Sequence, residues 1–195
     1  FLANTYDLKS RPKWEMVALT LHEAMPGHHL QISLAQELED VPEFRKQGGY
    51  TAYVEGWGLY AESLGEEMEM YEDPYDKFGQ LTYEMWRACR LVVDPGMHYF
   101  DWTREEAVNF MKINTALSMH DINTEINRYI VWPAQAVSYK IGELKIREMR
   151  KKAENELGDK FDIRDFHEVV LEQGTVTLAI LEKRINNYIN KTKNE

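Results

Sequence analysis

Apolar residues recur along most of the chain at the spacing of an α-helix. Positions 14, 17, 18, 21 and 25 are apolar, and so are 30, 32, 34, 35 and 38, beyond a Pro26-Gly27 pair. Side chains on one helix face lie three or four residues apart, so the pattern predicts helices over about 14–25 and from 30 to Asp40. No segment convincingly alternates between apolar and polar residues as a half-buried strand does. The sequence therefore predicts an all-α protein.

Turn and capping residues divide the rest of the chain into further predicted helices. A connector begins at Val41 and ends at Gly48-Gly49, and a long helix follows over Tyr50–Met70. Asp73-Pro74 opens the next helix, which Asp94-Pro95-Gly96 is expected to break because proline removes a helical hydrogen bond. A capping box opens a short helix over Thr103–Ile113. Asp162 caps another helix, which Gly174 stops. The remaining predicted helices are Ser118–Ile130, Ala134–Leu157 and Thr175–Asn190.

Composition and charge favour a globular protein and exclude several classes. The 195 residues are 44% hydrophobic and 29% charged, which suits a single domain with a good core. The net charge of −10, with basic residues concentrated only at Lys145–Lys152, argues against a nucleic-acid partner. One cysteine, Cys89, excludes an internal disulfide and a cysteine-rich metal site. No apolar run reaches the ~18–20 residues of a membrane span. Because the chain starts at Phe1 and not Met, we expect it to be a fragment of a longer protein.

The residues most suited to chemistry lie around the Pro26-Gly27 break, in the segment His22–His29. Zinc peptidases often carry H-E-x-x-H on a helix, where two histidines one turn apart bind zinc and the glutamate acts on water. Here proline occupies the position of the second histidine. On a straight helix His28 would lie about 120° around the axis and about 9 Å along it from His22, and His29 about 20° around but about 10.5 Å along.

Zinc–nitrogen bonds are about 2.0–2.1 Å long, so neither pair of histidines could share an ion on a straight helix. A helix that unwinds at Pro26-Gly27 could fold His28 back beside His22. Spacing alone leaves a second interpretation open, in which the histidines cap backbone carbonyls beside a helix break.

A third metal ligand is expected from the next long helix, because catalytic zinc usually has three protein ligands and one open position. Glu55 is the best candidate, since it lies mid-helix among Val54, Gly56 and Trp57, where an uncompensated carboxylate is costly. The glycines at 56 and 58 let another backbone come close. Glu62 shares the helix face of Glu55 and is a candidate for orienting a ligand. The alternatives are that Glu55 meets an arginine and that Glu62 is solvated.

These segments resemble the bacterial domain of unknown function 885 family, whose members look like zinc peptidases. The likeness begins with His-Glu-Ala-x-Pro-Gly-His-His at 22–29 and Glu-Gly-Trp-x-Leu-Tyr-Ala-Glu at 55–62, and continues through 87–98, 102–107, 128–142 and 157–167. That family is distantly similar to carboxypeptidase Taq and the thimet-type oligopeptidases, which are helical zincins with two histidines and a glutamate on zinc. The resemblance implies a helical zincin-like catalytic domain that forms the C-terminal part of a larger helical protein. Its metal-binding helices would span about 14–40 and 50–70. It implies zinc bound by His22, His28 and Glu55, and favours His28 over His29.

The chemistry of peptide hydrolysis assigns the remaining roles. Glu23 would accept a proton from water and pass one to the leaving amine. An oxyanion needs a hydrogen-bond donor. Tyr139 is the first candidate, because 133–139 is similar to the segment that supplies a catalytic tyrosine in thimet-type oligopeptidases, and His98 is the second. Arg87 and Arg90 lie three residues apart on one helix face, and a guanidinium suits the terminal carboxylate of a substrate.

The sequence thus predicts a zinc-dependent peptidase acting on peptide substrates, with carboxypeptidase-like and oligopeptidase-like action both open. Four of these candidate residues also have a structural alternative. Tyr139 could be a core aromatic, His98 an incidental loop residue, and the two arginines partners of Glu84 or Asp94. The rival class is a non-catalytic metal-binding helical module, or an inactive fragment of a peptidase. A di-iron bundle would need Glu-x-x-His motifs, which the chain lacks.

Overall fold

The chain is all-α over the residues that the computed structural model describes, 5–39 and 41–194 apart from the side chain of Gln47, and these residues form no strand. Within the same ranges, no helix has both the length and the apolar character needed to cross a membrane. The α-helices are α1 (Met16–Glu23), α2 (His28–Glu37), α3 (Glu43–Gln47), α4 (Thr51–Glu67), α5 (Pro74–Tyr99), α6 (Arg104–Asn114), α7 (Met119–Val131), α8 (Gln135–Leu157), α9 (Ile163–Leu171) and α10 (Leu178–Asn194).

Most helix starts are those that the capping residues predict. Asp73 accepts a hydrogen bond from the backbone N–H of Tyr75, with proline at the first position of α5. Thr103 forms the predicted capping box with Glu106 at the start of α6. These side chains accept hydrogen bonds from backbone N–H groups that have no partner inside the helix. Capping residues therefore determine the position at which each helix begins.

The predicted break at Asp94-Pro95-Gly96 is wrong, because α5 continues through it to Tyr99. Packing beyond the proline holds the helix together. Gly96 lies against the Trp102 ring, where a Cβ would come within 2.7 Å, and its carbonyl accepts from the backbone N–H of Trp102 at 2.9 Å. Asp94 accepts the backbone N–H of Ala134 at 3.1–3.2 Å. Such tertiary contacts can outweigh the ~3 kcal/mol that proline costs a helix interior.

The connector between the second and third predicted helices is also more ordered than expected. It contains α3, which begins after Pro42 and has acidic Glu43 in its first turn and two basic residues in its last. That arrangement complements the helix dipole, so even five residues hold helical geometry here. The helix before it, α2, ends at Glu37, and Asp40 lies outside the described residues.

The backbone divides into two compact units. In the first, residues 5–21 and 62–137, α5 packs against α6 and α7. Its core includes Cys89, Val93, Ala107, Met111, Ile122 and Ile126.

The second unit comprises residues 22–39, 41–61 and 138–194. Its buried side chains include Tyr53, Trp57, Ile146, Phe166, Leu181 and Ile185. Within it, α4 and α8 come into backbone contact, since a Cβ at Gly56 would lie 2.5 Å from the Cα of Gly142. The glycine near Glu55 therefore lets another backbone approach, as the sequence predicts.

Candidate metal centre

The helix break in the His22–His29 segment brings two histidines together. α1 ends at Glu23 and α2 begins at His28, so the residues between them leave the helix, as predicted from Pro26-Gly27. The indole N–H of Trp57 donates to the carbonyl of Pro26 at 2.8 Å and ties this turn to α4. As a result the rings of His22 and His28 meet edge to face, with centroids 4.7 Å apart.

Glu55 completes a cluster with these two histidines. Its Oε2 lies 3.2 Å from Nε2 of His28 and 3.5 Å from Nε2 of His22. His22 is buried, whereas the side chains of His28 and Glu55 keep 14% and 17% of their surface exposed. The three residues that the sequence selects as metal ligands therefore converge on one point that solvent reaches.

The donor atoms of this cluster suit zinc in type and in spacing. Two imidazole nitrogens and a carboxylate oxygen form a common catalytic zinc set. Ligand atoms about 2.0–2.1 Å from a tetrahedral ion lie about 3.3 Å from one another. The distances from Oε2 of Glu55 to the two Nε2 atoms, 3.2 and 3.5 Å, fall on either side of that value. The three ligand atoms all lie within 4.8 Å of one another.

The electrostatics of Glu55 also suit a cation. Burial alone would raise its pKa, but the imidazoles of His22 and His28 beside it outweigh burial and hold the pKa well below its usual range. The carboxylate is therefore ionised at neutral pH. Within the described residues the ion-pair contacts of Glu55 are with His22 and His28 and not with an arginine.

Gly58 makes room for both imidazole rings. A Cβ at this position would lie 2.7 Å from Cε1 and Nε2 of His22 and 3.0 Å from Cε1 of His28. The flanking glycines thus have different tasks: Gly56 admits the backbone of α8, and Gly58 admits the ligand rings.

Tyr139, on α8, lies beside the cluster. It is buried, and its ring stacks on that of His22 with centroids 6.1 Å apart and planes 23° apart. Glu23 is exposed at the end of α1 and directly follows His22 in sequence, and His29 is exposed as well. The catalytic roles of Glu23 and Tyr139 stay predictions.

Gln31 belongs to this site and was missed from the sequence. Its Oε1 lies 3.4 Å from Nδ1 of His28, on the ring edge opposite the one facing Glu55. The sequence contained one indication of this contact, because Gln31 follows His28 by three positions and residues three apart on a helix share a face. Leu30 and Ile32, on either side of Gln31, were assigned to the apolar face of this helix, so Gln31 was expected to lie on the polar face.

The other predicted site residues lie in the first unit and contact residues there. His98 donates from Nε2 to the backbone carbonyl of Tyr129 at 2.9 Å. Arg87 is buried and lies 3.5 Å from Oε1 of Glu62. Glu62 is thus the partner of an arginine and is not solvated.

Arg90 is also buried, and donates to the Tyr129 hydroxyl at 2.7 Å and to Glu125 at 2.9 Å. The donor role of His98, and substrate binding by Arg87 and Arg90, stay predictions.

The fold and the site together define an all-α protein with a candidate two-histidine, one-glutamate metal centre. A family model described as bacterial protein of unknown function (DUF885) matches residues 1–185, so the chain belongs to that family. The resemblance found in the sequence is thereby confirmed at the level of the family. No curated protein matches the chain.

Two solved structures, each described as a "putative lipoprotein", are similar to this chain. The protein from Colwellia psychrerythraea is 45% identical, with a TM-score of 0.94 over 96% of this chain. The protein from Shewanella oneidensis, described as of unknown function, is 25% identical, with a TM-score of 0.82 over 90% of this chain. The chain spans 32% of the length of each.

Proposed function

We propose that this protein is a zinc-dependent peptidase whose metal ligands are His22, His28 and Glu55. The observation that supports this most is the convergence of two Nε2 atoms on one carboxylate oxygen, at 3.2 and 3.5 Å. Three protein ligands would leave a fourth position open, which distinguishes catalytic zinc sites from closed structural ones.

The surroundings of the ligands favour hydrolysis over simple metal storage. Bound zinc supplies Lewis acidity, which activates water and polarises a peptide carbonyl. Glu23, exposed and adjacent to His22, accepts the proton of the attacking water and returns it to the leaving amine. Tyr139, stacked on His22, donates its hydroxyl hydrogen to the oxygen that becomes negative in the transition state.

The ligand set is tested by the zinc content of single variants. His22→Ala, His28→Ala and Glu55→Ala should each lose the zinc that the purified wild-type protein holds, because a catalytic site with two remaining ligands binds zinc weakly. The matched control is His29→Ala, which removes the exposed neighbour of His28 and should keep the metal. Loss of zinc in His29→Ala alone would move the second ligand to His29, and zinc absent from the wild type would remove the site.

Catalysis is tested by two conservative variants that leave the ligands in place. Glu23→Gln keeps shape but cannot act as a base, and should lower peptide hydrolysis by about 10²–10⁴-fold with zinc retained. Tyr139→Phe keeps the ring and should lower kcat by about 10²–10³-fold with little change in KM. Steady-state kinetics on peptides blocked at either terminus would also separate exopeptidase from endopeptidase action. A zinc-loaded wild-type protein that cleaves none of them would favour the non-catalytic module.

A further inference from the structure

Helix α2 buries an amide where an apolar side chain would be ordinary. Its buried residues are Gln31 and Ala35, while Ile32 and Leu34 remain 45% and 36% exposed. Gln31 itself is 4% exposed. Burying an amide is unfavourable unless hydrogen bonds compensate for the lost water, so the position requires a reason other than packing.

The carbonyl of Gln31 faces the ring of a metal ligand. Oε1 lies 3.4 Å from Nδ1 of His28, while Nε2 of the same ring lies 3.2 Å from Glu55. A carbonyl oxygen only accepts, so Nδ1 carries the hydrogen. A neutral imidazole has one N–H, so the lone pair of Nε2 is then directed at the point shared with His22 and Glu55.

The other end of the amide makes no competing hydrogen bond. Nε2 of Gln31 is buried and has no hydrogen-bond partner within the described part of the chain. The structure places the amide oxygen, and not the nitrogen, toward Nδ1 of His28. The contact with His28 is therefore the one that explains an amide at this position.

We propose that Gln31 is a positioning residue of the metal centre, which accepts the Nδ1 hydrogen of His28 and so sets the ring orientation and tautomer that bind zinc. The inference rests on the proposed function. His28 needs such support because it is the first residue of α2 and part of its side chain is exposed. Imidazole rings turn readily about χ2, so an unsupported ring would offer Nε2 only part of the time.

The test compares three variants of the full chain. Gln31→Leu removes the acceptor, and should weaken zinc binding by about 10–100-fold, as outer-sphere partners of ligating histidines generally do. Gln31→Glu restores an acceptor at the same position, and should recover wild-type zinc affinity or exceed it. Gln80→Leu is the matched control, because Gln80 is buried to a similar 5% on α5 and belongs to the first unit.

Zinc dissociation constants are measured by competition with a chromophoric chelator, together with the Tm of each metal-free variant. Weakened zinc binding in Gln31→Leu, recovered in Gln31→Glu at comparable Tm, supports the positioning role. Unchanged affinity in Gln31→Leu overturns it while leaving the proposed function intact. Failure of Gln31→Glu to recover affinity also overturns it, since a residue that only packs would behave in that way. A wild-type protein that binds no zinc overturns both proposals.

Discussion

Two of the clusters of ionisable side chains in the described part of the chain are built on opposite plans. The arginine cluster of the first unit comprises Arg87, Arg90, Glu62 and Glu125. Each guanidinium lies beside a carboxylate, and both lie over the Trp86 ring, with their central carbons 4.3 and 4.2 Å from its centroid. Positive and negative charges are thus matched within the chain.

The ligand cluster of the second unit, His22, His28 and Glu55, has no such balance. Its one carboxylate lies beside two imidazoles and not beside a guanidinium. All three donor atoms approach one point and do not form separate pairs. A buried carboxylate needs a cation, and the comparison shows two sources: an arginine of the chain, or, as we propose, a metal ion from solution. On this proposal the arginine cluster contributes to stability and the ligand cluster to metal binding.

Among the changes that test this comparison, removing one arginine of the arginine cluster should have the largest effect on the free energy of unfolding. Arg90→Met removes the buried guanidinium 2.9 Å from Glu125 and leaves that carboxylate only the more exposed Arg128, at 3.6 Å. Breaking a buried pair costs about 3–5 kcal/mol of unfolding free energy. Zinc content per folded molecule should be unchanged. The control is Arg164→Met, because Arg164 forms an ion pair with Asp162 while 87% exposed, and exposed pairs contribute only about 0–1 kcal/mol. Denaturant unfolding and elemental analysis measure both quantities.

A different result would reassign Arg90. If Arg90→Met unfolds like the wild type but loses activity on peptides with a free terminal carboxylate, the arginine serves substrate binding, as the sequence predicts. The contrast between the two clusters would then no longer be one of stability against binding.

Two glycines on α4 sharpen the comparison within the second unit. Gly58→Ala places a Cβ 2.7 Å from the His22 ring, and should weaken zinc binding because the ring must move. Gly56→Ala instead meets the backbone of Gly142 at 2.5 Å, and should cost about 1–3 kcal/mol of stability with zinc affinity of the folded protein retained. Chelator competition and thermal unfolding of both variants separate the effects. Equal losses of zinc in the two would mean that the site simply follows the stability of α4.

Local signals explain what the sequence could predict. Caps at Asp73 and Thr103 fix helix starts through contacts two or three residues away, and the Pro26-Gly27 break is visible in the sequence itself. The break wrongly expected at Pro95 depends on packing against Trp102, which helix propensity does not contain. The partners of the two arginines are also distant in sequence, since Glu125 lies 35 positions from Arg90. The cluster of His22, His28 and Glu55 was predicted because its residue types and the family-like motifs coincide, whereas Gln31 carries no metal-binding chemistry of its own.

The smallest expected effect concerns how each unit responds to acid. In the first unit, burial, and to a lesser extent the charge of Asp121, raises the pKa of Glu15 from 4.5 to about 7, while a hydrogen bond from Tyr83 and nearby arginines oppose the rise. The folded state therefore favours the protonated carboxyl. Its contribution to stability is fully present below pH 4.5 and is lost as the pH rises from 4.5 to about 7. The ligand cluster should respond in the opposite sense, because protonated imidazoles release zinc as the pH falls.

Glu15→Gln isolates this contribution, since glutamine resembles the protonated carboxyl at every pH. The variant should match the wild type near pH 4.5 and be the more stable protein at pH 8, with the difference growing across the interval in which Glu15 ionises. Denaturant unfolding of the metal-free proteins at several pH values measures that difference, and metal-free protein is needed because zinc release would add its own pH dependence. Glu15 keeps part of its surface exposed, so solvent screening makes the gain smaller than that from an interior carboxylate. A difference that stays constant with pH would show that Glu15 ionises alike in the folded and unfolded chains, and the acid response of the first unit would then have to come from other groups.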